Sequence, residues 1–155
     1  MTTDRTASWA DFQAAAPDLA AAGARQLDRA NGAALLSTVR GSDSAPRIHP
    51  VTVGIVDGAL NVFLLDSAKR TDLAQDGRYA LHAHQDQDRP DEFSVRGRAL
   101  MVPQGVRRDH VAKDWFFEVD DTYWLFELRI ATAILGQRGA DEWPPRYTRW
   151  SASDR

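Results

Sequence analysis

The apolar positions along this chain change their spacing several times, and each change marks a new element. Ser8-Trp9-Ala10-Asp11 resembles a helix-capping box with Asp in the acidic place, so a short helix is expected to about Ala16. Pro17 suits the first turn of a second helix over 18–30, closed by Asn31-Gly32. Leu19, Ala22, Gln26, Leu27 and Ala30 give that helix a modest apolar stripe, the pattern of a helix laid on a larger core. From residue 33 the period becomes that of extended chain. Residues 33–40 (AALLSTVR) read as a first strand and 41–45 as its turn. Residues 48–56 are mostly apolar and often β-branched, which predicts a strand covered on both faces. Asp57-Gly58 is two-residue hairpin chemistry, and 59–65 supply the returning strand.

Asp66-Ser67 then offers an N-cap to a short helix, which Gly77 is placed to end. Residues 78–85 alternate, with Tyr79, Leu81 and Ala83 on one face and Arg78, Ala80, His82 and His84 on the other. Residues 92–102 alternate again, placing Phe93, Val95, Gly97, Ala99 and Met101 together. A charged, helical excursion is expected over 104–113, and a last long strand over 123–134 with Trp124, Phe126, Leu128 and Ile130 on one face. Five or six strands with helices at the edges predict a mainly β protein, a closed barrel rather than an open α/β sheet.

Composition narrows this picture. A chain of 155 residues makes one domain, with helices over 1–32, the barrel over 33–135 and a tail over 136–155. A formal net charge of -3 argues against a general nucleic-acid binder while allowing a local basic pocket. There is no cysteine, so thiol catalysis, disulfides and thiolate-bound metal are excluded, and redox chemistry would need a bound cofactor. No apolar run approaches a membrane span, and a cytoplasmic protein is the expectation.

The chemistry concentrates at the start of the helix after the hairpin. Ser67, Lys69 and Arg70 combine free helical N–H groups, a hydroxyl and two cations, which would suit a phosphate, although on residue type alone a solvated helix start is the favoured reading. His82 and His84 have a spacing that can ligate metal, but a polar strand face is the favoured reading and no metal site is assigned. The chain has no Gly-x-Ser-x-Gly elbow, no dinucleotide fingerprint and no P-loop.

Pro46-Arg47-Ile48-His49-Pro50-Val51-Thr52, Asp57-Gly58 and Ser67-Ala68-Lys69 follow one another in an order that resembles the FMN-binding split-barrel family related to pyridoxamine 5′-phosphate oxidase. The resemblance continues through Asp76-Gly77-Arg78-Tyr79-Ala80-Leu81-His82, Glu92-Phe93-Ser94-Val95-Arg96-Gly97-Arg98-Ala99, Leu125-Phe126-Glu127-Leu128 and Pro145-Arg146-Tyr147-Thr148-Arg149-Trp150. It implies a split β-barrel, FMN type, as a two-fold homodimer with cofactor sites at the interface. It implies that Lys69 first, then Ser67, Arg70 and Arg47, hold the cofactor phosphate or ribityl chain. His49, Pro50, Val51 and Thr52 correspond to the strand lying along the flavin ring and pairing with it through backbone groups. Pro50 lacks an N–H, which a ligand, a sheet edge or a bulge would each explain.

The implied activity is hydride or electron transfer with a small organic substrate, using FMN or the deazaflavin F-420. A non-catalytic flavin- or haem-binding protein is the alternative, because some relatives of this fold bind haem. No catalytic residue is assigned; His49 is the nearest to a general acid or base. Pyridoxamine phosphate oxidation itself is disfavoured, because the full oxidase has a longer chain and its Arg-x-Ser-Pro-x-Arg-Leu type signature is missing here; Ala68, where the oxidase motif often has Arg, sets Arg70 behind Lys69 and Ser67. In the tail, Trp143, Tyr147 and Trp150 suit either an aromatic seal on the barrel or the lining of a partner's site.

Overall fold

The computed structural model describes residues 5–154; the first four residues, and Arg155 of the predicted tail, lie outside the described residues. Two helices, α1 (Trp9–Ala15) and α2 (Pro17–Arg29), precede β1 (Ala33–Arg40), β2 (Ala45–Val56) and β3 (Ala59–Leu64). Then come α3 (Ala68–Gln75), β4 (Arg78–Ala83), β5 (Glu92–Val102), α4 (Val106–Lys113), β6 (Trp124–Gln137) and β7 (Arg146–Ser151). The strands pair antiparallel in the order β3-β2-β1-β4-β5-β6-β7, and β3 also pairs with β6. Six strands therefore close a barrel, and β7 lies on the second half of β6. The expectation of five or six strands omitted β7. The tail folds back on its own barrel, and the Trp150 ring lies 5.0 Å from that of Phe12.

The local chemistry behaves as the sequence predicts at several points. Ser8 caps α1 by accepting the Asp11 N–H at 3.1 Å, Pro17 begins α2, and Asp57 and Gly58 both take positive φ. Gly77 acts differently from expectation. Asp76 is the C-cap of α3, and a Cβ at Gly77 would stand 2.6 Å from the Ala99 carbonyl oxygen. The glycine thus permits a close approach to β5.

Inside the barrel, Leu36, Val53, Leu60, Val62, Phe93, Phe126, Leu128 and Ile130 are all buried. Trp9, Phe12, Leu19 and Leu27 plug the end at which β1 begins. One irregularity sets the shape of the wall. The β5–β6 register slips between Arg96 and Gly97, so Arg96 faces Thr132, Gly97 faces Ile130, and Ala131 is skipped. The extra residue reverses which side chains point inward. Phe126, Leu128 and Ile130 fill the core before it; Ala133 and Leu135 fill it after. A Cβ at Gly97 would fall 1.9 Å from the Arg129 carbonyl oxygen, so this crossing requires glycine.

Two burial expectations are corrected. Val102, rather than Met101, is buried at the end of β5, because a second cluster of Phe63, Val102, Val111, Trp115 and Leu125 forms outside the wall under α4. And β2 is not covered on both faces: Ile48 is 71% exposed, and residues 45–48 and Pro50 are all exposed. Only Val53–Val56 pair with β3, so the first part of β2 has β1 as its sole neighbour.

Candidate functional site

That half-paired strand creates the split. β3 ends at Leu64 and its chain departs into α3, leaving a cleft of about 360 Å³ beside the free edge of β2. Pro50, Val51 and Thr52 form one wall, Leu64, Leu65, Ser67 and Lys69 the second, and Phe117 and Tyr123 the third. The direction of the free backbone groups follows from one hydrogen bond. Val53 donates its N–H to Gly32 at 2.8 Å, on the β1 side. Alternation along the strand then turns Val51, His49 and Arg47 toward β1, and Thr52, Pro50 and Ile48 toward the cleft. Pro50 thus sits where no ladder bond is lost. The edge explanation holds, and that edge borders the cleft.

At the start of α3 the predicted cations separate. Ser67 is the N-cap, accepting the Arg70 N–H at 3.4 Å while its own hydroxyl donates to the Leu65 carbonyl at 2.9 Å. The first-turn N–H groups of Ala68 and Lys69 remain without helical partners. Lys69 lines the cleft, and among the described residues no carboxylate pairs with it. Arg70 is turned away: its guanidinium pairs with Asp66 at 3.1 Å, donates to the Thr122 carbonyl at 3.1 Å, and lies 4.1 Å from the centroid of the Trp124 ring. It ties α3 to the start of β6.

Arg47 and His49 point to a polar cap over the end at which β1 finishes. Asp72, on the inner face of α3, has a fully buried side chain. Arg40 Nε donates to it at 2.6 Å and Thr38 Oγ1 at 2.8 Å, and Arg47 Nε stands 3.9 Å away. Burial pushes the Asp72 carboxyl upward, but the hydrogen bonds from Arg40 and Thr38 outweigh it and hold it below its ordinary value. Thr38 has one hydroxyl proton, which goes to the carboxylate, so its oxygen accepts from His49 Nε2 at 3.1 Å. His49 therefore carries its proton on Nε2 and keeps Nδ1 as an acceptor. Burial, then the Lys69 charge, lower its pKa against the opposing pull of Asp72, and Arg47 and Arg40 lower it further.

The third wall was missed in the sequence. Arg108, buried on α4, donates to the Asp120 carbonyl at 2.6 Å and the Tyr123 carbonyl at 2.9 Å, holding the loop that carries Tyr123. Trp115 anchors the same segment against Phe63, ring centroids 5.0 Å apart. The adjacent Trp115-Phe116-Phe117 run was the available signal. The histidine pair falls elsewhere. His82 Nδ1 lies 2.6 Å from the Ala83 carbonyl oxygen, and His84 is exposed beyond the end of β4. Among the described residues no group of three or more His, Asp or Glu gathers at metal-binding distance.

No family model matches the chain, and no curated protein sequence matches it. Solved structures do. General Stress Protein 26 from Bacillus anthracis matches with a TM-score of 0.59 and 20% identity over 83% of this chain and 97% of that one. A putative pyridoxamine 5′-phosphate oxidase from Listeria innocua matches with a TM-score of 0.56 and 16% identity, over 70% and 90%. The fold is the split barrel of pyridoxamine 5′-phosphate oxidase-like proteins. A heme binding protein from Mycobacterium smegmatis shares it at a TM-score of 0.59 and 20% identity; the match covers 84% of this chain and 57% of that one. No helix of the described residues is long and apolar enough to cross a membrane.

Proposed function

We propose that this chain is a flavin-dependent oxidoreductase that binds FMN, or the deazaflavin F-420, in the cleft beside β2. The observation that carries the reading is the juxtaposition of an unpaired strand edge with an unpaired lysine at a helix start. The residues fit the group. Lys69 and the free N–H groups of Ala68 and Lys69 suit a phosphate, and Ser67 shapes that turn. The Thr52 N–H and the Pro50 and Thr52 carbonyls suit the polar edge of a planar ring, and Phe117 and Tyr123 suit its apolar face. Arg47 adds positive charge behind the seat, and Arg70 holds the wall against β6. A bound flavin supplies hydride or electron transfer; the protein supplies orientation and electrostatics. His49, neutral and acceptor-ready at Nδ1, is the chain's candidate for holding a proton near the site.

A homodimer belongs to the same proposal. Leu35 faces Pro50 and Ser37 faces Ile48 across β1 and β2, so an apolar strip lies on the outer wall next to the cleft. Leu35 is 49% exposed and Ile48 71%, and a second copy would cover them.

The test is a visible-absorption and fluorescence titration with FMN, F-420 and haem in separate arms, joined to a turnover assay with a reductant and an acceptor. Saturable FMN or F-420 binding is expected, weakened about 10- to 100-fold in Lys69→Ala, since a charge-assisted contact contributes about 1.5–3 kcal/mol. Saturation by haem alone, or by none of the three, would sink the flavin reading. Flavin binding without turnover would mark a carrier or sensor instead.

A further inference from the structure

We propose that the groove between α2, the 86–91 loop and the end of β6 is a second ligand site, one that takes the carboxylate or phosphate head of a small polar molecule. The groove encloses about 480 Å³, the size of a metabolite pocket. It shares no lining residue with the cleft beside β2, so it stands independently of the flavin reading.

Three guanidinium groups line it. Arg25 and Arg29 are one turn apart on α2, hence on one face, and Arg89 comes from the loop. Among the described residues none of the three side chains has a hydrogen-bond or ion-pair partner. The planar guanidinium fork matches a carboxylate or a phosphate better than any other ligand group. Gln26 provides the second, independent observation. It is only 5% exposed, it lines the same groove, and no protein group in the described residues bonds its carboxamide, whose atoms keep access to the groove. A ligand oxygen can therefore accept from its NH₂ there. At this position in α2 the apolar stripe would accept leucine, which makes the glutamine informative.

Asp28 and Asp91 also line the groove, and Asp91 Oδ1 already accepts the Arg138 N–H at 3.3 Å. They leave an excess of positive charge while disfavouring a second anionic group. Asp86 and Asp88, in the adjoining hollow that shares Arg29, offset that excess and further disfavour a second anionic group. The expected ligand has one oxyanion head and a hydroxyl- or amino-bearing body, whose donors the carboxylates and Gln137 can accept.

The test is a ¹H–¹⁵N NMR titration of the full chain with inorganic phosphate and, separately, with malate as a hydroxylated carboxylate. Saturable shifts confined to α2, the 86–91 loop and the end of β6 are expected for at least one. Arg25→Gln combined with Arg89→Gln should weaken that binding about tenfold or more, as loss of charged hydrogen bonds does. Gln26→Leu should weaken it with no loss of fold, and Lys69→Ala should leave it unchanged. Saturation by one anion alone assigns the head group. If neither saturates, or if the double arginine variant binds as the wild type does, the proposal falls. Should Gln26→Leu fail to fold, the exposed arginine variants still decide the matter.

Discussion

The two ends of this barrel are closed by opposite means. Where β1 begins, α1 and α2 press Trp9, Phe12, Leu19 and Leu27 into the interior. Where β1 finishes, a single eight-residue helix lays one buried carboxylate across the opening. The first closure is spread over many apolar contacts, each weak and none directional. The second rests on a few directional bonds from Arg40 and Thr38 to Asp72. The apolar end secures the fold. The polar end holds cations, a histidine tautomer and the start of the cleft in fixed positions, which dispersion forces alone could not specify.

The contrast can be broken most sharply at the apolar end. Phe12→Ala removes a fully buried ring that touches Trp9 and Trp150, and it should destabilise the protein by about 3–5 kcal/mol in urea unfolding. A loss under 1 kcal/mol would mean the helices are not the plug. At the polar end the expected effect is smaller. Asp72→Asn should cost about 1–3 kcal/mol, because Arg40 and Arg47 are partly exposed and can be hydrated once the carboxylate is gone. Its distinguishing consequence is at acid pH. A carboxyl held below its ordinary value contributes stability above that value and loses it as the pH falls through the lowered one. Acid unfolding of the wild type should therefore contain a step that Asp72→Asn lacks.

The smallest effect belongs to His49. Its folded pKa lies below the ordinary 6.5, so the unfolded chain binds the proton more readily. Stability is fully present above 6.5 and declines as the pH falls from there to the lowered folded value. His49→Gln should flatten that decline in thermal-melt profiles between pH 7 and about 5. An equal slope in both proteins would remove His49 from the polar cap's electrostatics. Histidine-edited NMR adds a qualitative check: Thr38→Val should release the Nε2–H tautomer and Thr38→Ser should restore it.

The candidate site was legible wherever chemistry is local. Ser67 as cap follows from residue type and neighbours within a few positions, whereas Lys69 rested on the family resemblance and an edge for Pro50 was one of three explanations left open. Arg70 shows where such reasoning ends. Nothing within its own segment reveals that Trp124 and the Thr122 carbonyl, more than 50 residues away, will take its guanidinium. The same holds for Asp72, whose partners Thr38 and Arg40 lie on a strand formed well before it. Ile48 erred in the other direction. An apolar, β-branched strand predicts cover on both faces, but cover depends on how long the neighbouring strand accompanies it, and β3 leaves after pairing with only Val53–Val56.

By itself the sequence determined the elements through β6, the mainly β character, the hairpin at Asp57-Gly58 and the absence of thiol chemistry, because periodicity, caps and turn residues act over a few bonds. Only the tertiary structure decided the register slip at Ala131 that turns β6 over, the seventh strand, the aromatic wall of Phe117 and Tyr123, and the burial of Asp72. Those depend on which distant backbones come within hydrogen-bonding reach, and burial then changes the strength of every charge placed there.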